Sequence, residues 1–443
     1  MYKKQIHEYI ISHSHELTDL LSELIAVKSV ESAPEKNMPF GKGCADVLEL
    51  YLSEGRKNGF ITKNFENFAG HTDFNGLAPE LGILCHLDTV PEGDGWHSDP
   101  FKAVIKDGRL YGRGAIDDKG PAAAVLFAMK CIKELNIPVK KGIRIITGCN
   151  EENGSADIEY YLKQEKFPPC LVTPDGDYPV INIEKGMLRC KITGKLPEKI
   201  LSINGGEAVN AVPAKCSARV TGEYHGQNKI SVSYDNGISD IVSEGVCAHA
   251  STPEKGENAV TLLLKYLSES CGGDIKALSE LFPYGETDGT ATGVKCSDEA
   301  SGALTLLLSK INGENGSFTA YCDCRYPVSL TLGEISQKLT RSIENKGLKA
   351  EITMGSEPHF VDPESSFIKQ LLKIYEDVTG NKGECIAIGG GTYVHDTENG
   401  VAFGAEFPGE ENNMHGADES VKLSSLLLTA EIYAALMAEV CGG

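Results

Sequence analysis

LGILCHLDTVPEGDGWHSDPF, residues 81–101, and its continuation KAVIKDGRLYGRGAIDDKG, residues 102–120, decide how the rest of the chain is read. The apolar run Leu81–Cys85 predicts a short buried strand, and it delivers His86 and Asp88 at its C-terminal end. Open α/β sheets bind their ligands at that end. Asp107-Gly108 predicts a type I′ hairpin turn. Beyond it Gly112-Arg113-Gly114 leads to Asp117-Asp118 and a helix over roughly 121–135. On an extended strand end, residues two apart point to one side. His86 can then bind a metal through one ring nitrogen while Asp88 holds the ring. A merely structural histidine is the competing reading of those three residues.

Working outward, the same arrangement recurs. The strand-like run Arg144–Cys149 leads into Glu151-Glu152, and Leu171–Thr173 leads into Asp175. Two adjacent acids at a strand end point in different directions, so one can hold a metal while the other moves a proton. Acids favouring a helix N-terminus are the plainer account of that pair. His415 stands in Asn413-Met414-His415-Gly416-Ala417-Asp418-Glu419 near the end of the chain. Together His86, Asp88, Asp117, Glu151, Glu152, Asp175 and His415 are the candidates, and two imidazoles with three carboxylates from among them would form a mixed nitrogen–oxygen ligand set. It suits Zn²⁺ and admits Mn²⁺ or Co²⁺.

At 443 residues the chain calls for two domains rather than one core. Hydrophobic content of 41% and charged content of 24% describe a soluble globular protein. A net charge of -21 argues against nucleic acid and anionic membrane as partners. The opening MYKKQIHEYI is not of signal-peptide type, and no stretch approaching eighteen apolar residues is expected. The fourteen cysteines are scattered, without a CxxC pair, which predicts reduced core thiols and a cytoplasmic compartment.

Helical spacing covers residues 5–27 and 42–57, with short strands near 60–65 and 81–85. From Met187 the pattern changes to alternating runs such as LRCKITG and KISVSYD, with helices near 259–267 and 332–346. That is an antiparallel sheet with helices on one face. Helix and loop patterns return after Phe360. The expected organisation is a catalytic domain in two parts, 1–186 and 356–443, with residues 187–355 inserted as a lid and substrate domain. His71, His97, His225 and His359 are read as structural or surface residues.

HLDTVP, YGRGAIDDKGP, NEENGS, TPDGDYP, NAVPAK, HAS, GGGTY and NMHGADE follow one another along nearly the whole chain. In that order and spacing the chain resembles the cocatalytic metallopeptidases, the family of aminoacylase, carboxypeptidase G and carnosinase. It is most similar to the bacterial dipeptidases of the dipeptidase V type. The resemblance implies an α/β fold: a mixed-sheet di-zinc exopeptidase domain, phosphorylase/hydrolase-like, with an inserted ferredoxin-like α+β lid. It implies two divalent ions, one on His86 and Asp175, the other on Glu152 and His415, with Asp117 between them and the Asp117–Asp118 peptide cis. Asp88 would orient His86, and Glu151 would be the general base in hydrolysis of a dipeptide's peptide bond. His249 would act on the scissile carbonyl, and Asn210, Arg325, Gly390 and Gly391 would contact substrate. A small peptide is thus the expected partner, for a monomer or homodimer. His395 departs from the arginine that relatives often carry after Thr-Tyr. An N-acyl amino acid deacylase or desuccinylase would use the same ligands. A non-catalytic binding protein of this fold would be expected to lack Glu151 or a ligand, and none is missing.

Overall fold

The computed structural model describes residues 2–442. They form two compact units: Met1–Asn182, Val361–Ile386 and Thr392–Gly443 in the first, and Ile183–Phe360 with Ala387–Gly391 in the second. The first unit is built on a mixed sheet. Its strands lie in the order Ile61–Phe65, Ala69–Asp73, Gly142–Gly148, Pro79–His86, Cys170–Thr173, Gly400–Ala402 and Val180–Glu184. The central pairings are parallel, and the flanking ones antiparallel. Parallel strands are covered on both faces, which is why Gly142–Gly148 is buried along its whole length.

Helix Lys119–Glu134 lies buried against this sheet, and its Ala122-Ala123-Ala124 start lets the backbone approach closely. The first helical stretch is two helices rather than one, Lys3–Ser12 and Ser14–Ala26. Ser12 Oγ donates to the carbonyls of Glu8 and Tyr9, and His13 Nδ1 also lies 2.9 Å from the Tyr9 carbonyl. Such side-chain bonds compete with the helical ladder and break it there. The last helix, Leu423–Cys441, is long and apolar enough to cross a membrane, which the sequence reading overlooked. It is mostly buried inside the first unit, where Ile432, Leu436 and Val440 join the main core and it packs on Lys119–Glu134.

The second unit carries an eight-stranded antiparallel sheet. Its order is Ile230–Asp235, Ile238–Glu244, Lys215–Thr221, Ile200–Gly205, Thr305–Glu314, Ser317–Tyr326, Gly186–Lys195, Lys349–Ser356. The alternation is plain in Gly186–Lys195, where Leu188, Cys190 and Ile192 are buried and Arg189 and Lys191 are half-exposed. Helices Ala259–Cys271, Gly273–Leu281 and Leu332–Asn345 supply the other half of that core. A capping box between Thr331 and Glu334 fixes where the last of these begins.

Candidate metal centre

Apart from His415, every candidate ligand of the first unit sits where a parallel strand stops or a helix starts. Strand Pro79–His86 ends on His86, and the chain continues through Asp88. Strand Gly142–Gly148 ends just before the 3₁₀ turn Glu151–Asn153, and Cys170–Thr173 ends two residues before Asp175. Asp117 precedes helix Lys119–Glu134, and the Asp117–Asp118 peptide is cis. His415 lies in a loop with a positive φ of 60°.

Asp117 divides its carboxylate between two imidazoles. Oδ1 is 2.9 Å from His86 Nε2, and Oδ2 is 2.7 Å from His415 Nε2. His86 Nε2 is also 3.8 Å from Asp175 Oδ2, and His415 Nε2 is 3.4 Å from Glu152 Oε2. Two sets of ligand atoms result, His86–Glu151–Asp175 and Asp117–Glu152–His415, each with its atoms within 4.8 Å of one another. Nitrogen and oxygen donors in groups of three, with one carboxylate reaching both imidazoles, fit divalent cations.

The support around these groups is mostly backbone. Asp88 Oδ1 lies 3.4 Å from His86 Nδ1, and the Asp88 oxygens accept the amides of Glu151 and Glu152 at 3.3 and 3.1 Å. His86 Nδ1 also lies 3.2 Å from the Asp88 carbonyl, so Asp88 meets the imidazole through its backbone as well as its side chain while it seats the acidic turn. Asp118 Oδ2 accepts the His86 amide at 3.1 Å. Asp157 Oδ2 accepts the amides of Cys149 and Asn150 at 2.5 and 2.7 Å and the Tyr393 hydroxyl at 2.6 Å. A Cβ on Gly148 would stand 1.8 Å from that hydroxyl, so the strand can end there only on glycine. Asp118, Asp157 and Tyr393 escaped the sequence reading because each acts on another residue's backbone or carboxylate. Glu419 and Arg113 escaped it too.

Charge and burial conflict throughout the cluster. Burial disfavours charge on His86, but Asp117 and Asp88 outweigh it and hold the imidazole well above its ordinary range. Hydrogen bonds to the Asp117 and Glu152 carboxylates push His415 up to about 11. Asp117 is driven up by burial, yet His415 and His86 win and keep it low. Burial raises Asp175 to about 7 and lifts Glu151 well above the usual carboxylate range. Negative groups thus outnumber their partners, which is the electrostatic setting a bound cation relieves.

Within the second unit, the expected substrate contacts gather in one region. Ala211 bridges to His249, and the Ala250 amide donates to the Asn210 carbonyl at 2.9 Å. His249 is exposed, with Nδ1 2.7 Å from Ser251 Oγ, and a Cβ on Gly389 would touch the Ser251 side chain. Arg325, expected to contact substrate, is itself held in a buried ion pair. Nε and Nη2 donate to Asp323 at 2.6 and 3.2 Å, and Nη1 donates to the Gly389 carbonyl at 3.0 Å. Asp323 is buried at the middle of a strand, so it draws the nearest guanidinium inward.

Residues 82–439 match the model of a family described as Peptidase family M20/M25/M40. The Beta-Ala-Xaa dipeptidase of Lactobacillus delbrueckii subsp. lactis is 34% identical over 451 residues, covering 95% of each chain. A Bacillus subtilis (strain 168) protein named "Putative dipeptidase YtjP" is 33% identical over 97% of this chain and 98% of its own length. Among solved structures, human carnosine dipeptidase 1 superposes with a TM-score of 0.66 at 15% identity, over 100% of this chain and 99% of that one. At that identity it speaks to the fold, the same mixed α/β architecture found here. A family match over most of the chain, two relatives aligned almost end to end and two ligand groups that meet at Asp117 agree: the chain belongs to peptidase family M20/M25/M40.

Proposed function

We propose that this peptidase is a metal-dependent dipeptidase. The observation that carries the reading is Asp117 reaching both imidazoles, with Asp175 beside His86 and Glu152 beside His415. His86 and Asp175 would hold one divalent ion, Glu152 and His415 the other, with Asp117 between them. Zn²⁺ suits the donor set best, and Mn²⁺ or Co²⁺ can replace it. When bound, such ions polarise a peptide carbonyl and lower the pKa of water.

The chain's own residues do the rest. Glu151 is the proton carrier: its amide is fixed by Asp88, and its carboxyl stands beside His86 and Asp175. As a carboxylate beside the ligand groups it would take a proton from water and return it to the leaving amine. Asp88 keeps His86 in one orientation. Asn210, His249, Gly390 and Gly391 are assigned to substrate by likeness to the family, with Arg325 holding the glycine segment through the Gly389 carbonyl. The inserted unit is read as the lid. The dipeptidase names of the two relatives support the substrate class. The cysteines, all free and mostly buried, support a reducing, cytoplasmic setting.

A substrate panel tests this reading. Zn²⁺-, Mn²⁺- and Co²⁺-loaded protein is assayed on free dipeptides, tripeptides, C-terminally amidated dipeptides and N-acyl amino acids. The expected result is rapid cleavage of free dipeptides, with the other three classes slower by two or more orders of magnitude in kcat/KM. That gap corresponds to about 3 kcal/mol. Preference for N-acyl amino acids would replace the dipeptidase reading with a deacylase one.

A further inference from the structure

Arg113 and Glu419 form an ion pair that stability alone explains poorly. Both residues are 1% exposed or less, and Nη1 donates to Oε2 at 2.6 Å. Arg113 Nε, moreover, has no hydrogen-bond partner among the described residues. Burying two charges with a donor left over is at best neutral for folding, because desolvation cancels the attraction. What the pair touches points elsewhere.

Glu419 Oε1 accepts two successive amides, those of Ile116 at 3.0 Å and Asp117 at 3.3 Å. One carboxylate oxygen bound to two successive amides holds the backbone from which the Asp117 side chain leaves. The Glu419 carbonyl accepts the Gly112 amide at 3.0 Å, closing the other end of the same loop. Glu419 also follows His415 by four residues, and Ser420 donates to the Asn412 carbonyl at 2.9 Å, so the His415 loop is pinned where Glu419 enters. From the other partner, Arg113 Nη2 donates to the carbonyls of Pro91 and Glu92 at 3.3 and 3.1 Å. Those carbonyls belong to the loop that continues from His86 and Asp88. Trp96 of that loop lies over the guanidinium, 5.2 Å from ring centre to Cζ.

We propose that the Arg113–Glu419 pair is a positioning device: one buried contact that sets Asp117 and ties together the three loops carrying His86, Asp117 and His415. Neither residue touches substrate or ion in this account. The pair acts by holding the bridging carboxylate where both imidazoles meet it. The proposal rests on the two-ion reading, and metal binding rather than peptide turnover is its readout.

The test uses full-length protein stripped with chelator and checked for folding by circular dichroism at 25 °C. Zn²⁺ affinity is measured by competition with a chromophoric chelator, and the Co²⁺ form by its visible absorption. Glu419→Gln and Arg113→Met are expected to weaken binding by about ten- to a hundredfold, as loss of a ligand-orienting partner does, and to alter the Co²⁺ spectrum. Arg144→Met is the control. It breaks another largely buried ion pair, with Asp73, and is expected to lower the melting temperature without changing metal affinity. Should either single variant fail to fold, the double variant Arg113→Met/Glu419→Leu replaces both charges by apolar groups and is expected to show the same weakened binding. Folded variants with wild-type affinity and spectrum would overturn the proposal while leaving the two-ion reading intact. Wild-type protein that binds no metal would sink that reading, and this proposal with it.

Discussion

His86 Nε2 stands 2.9 Å from Asp117 Oδ1, although one residue ends a strand and the other precedes a helix thirty-one positions later. Tertiary folding alone makes that contact, and the chemistry of the centre follows from it. A side chain that ends a parallel strand has no freedom to retreat, and a carboxylate at the start of a buried helix has little more. The two therefore meet in a fixed geometry with the second carboxylate oxygen turned toward His415.

Glu151→Gln separates ligand from proton carrier. The amide keeps the shape of the side chain and removes its basicity. Turnover of a free dipeptide is expected to fall by about two to four orders of magnitude, with metal content per chain unchanged. Near-normal turnover in this variant would show that another group carries the proton.

Arg325→Ala should be costly through the fold rather than through lost charge on the surface. It leaves the buried Asp323 carboxylate with only Arg189, 3.1 Å away, and frees the Gly389 carbonyl. A destabilisation of about 3 kcal/mol is expected, from the penalty of a buried charge that loses a partner. Denaturant titration of the two proteins measures it, and a difference under about 0.5 kcal/mol would place the pair among solvent-screened contacts.

Stability should depend on pH through His71, far in sequence from the ligands. Burial, with Arg144 adding to it and Asp73 opposing, lowers this imidazole to about 4 from an ordinary value near 6.5. Between those values the unfolded chain binds a proton that the folded one does not. The His71 contribution is therefore complete above pH 6.5 and is lost as pH falls toward 4. The loss amounts to at most about 3 kcal/mol. The stability difference between wild type and His71→Gln should shrink across that window in urea titrations. A difference that stays flat from pH 7 to 4 would mean that His71 titrates normally.

The strand ends are legible because apolar runs such as Leu81–Cys85 record buried strands in the sequence, and in the first unit such runs stop at or shortly before a ligand-type residue. Motif order then singled out Asp117 and His415, which no local pattern marks. The supporting residues were not legible. Asp157 accepts amides from the preceding strand end and Glu419 from a segment far back in the chain, and nothing in Asp-Ile-Glu or Ala-Asp-Glu announces such a partner. The buried pairing of Arg325 is not legible either, because a guanidinium beside a carboxylate two residues away gives no sign in the sequence that the strand carrying both is buried. The break at His13 is local but subtle, since it turns on which carbonyl the Ser12 hydroxyl chooses.

Whether the ligand groups meeting at Asp117 hold the ions on which peptide hydrolysis depends is tested most directly by dipeptide turnover, followed as chelator-stripped protein is titrated with Zn²⁺, Mn²⁺ or Co²⁺, alongside Asp117→Asn. The expected result is no turnover in the stripped protein, recovery that saturates at two ions per chain, and neither stable loading nor recovery in Asp117→Asn. Full turnover after complete removal of metal, or an Asp117→Asn protein that loads and cleaves like the wild type, would contradict it.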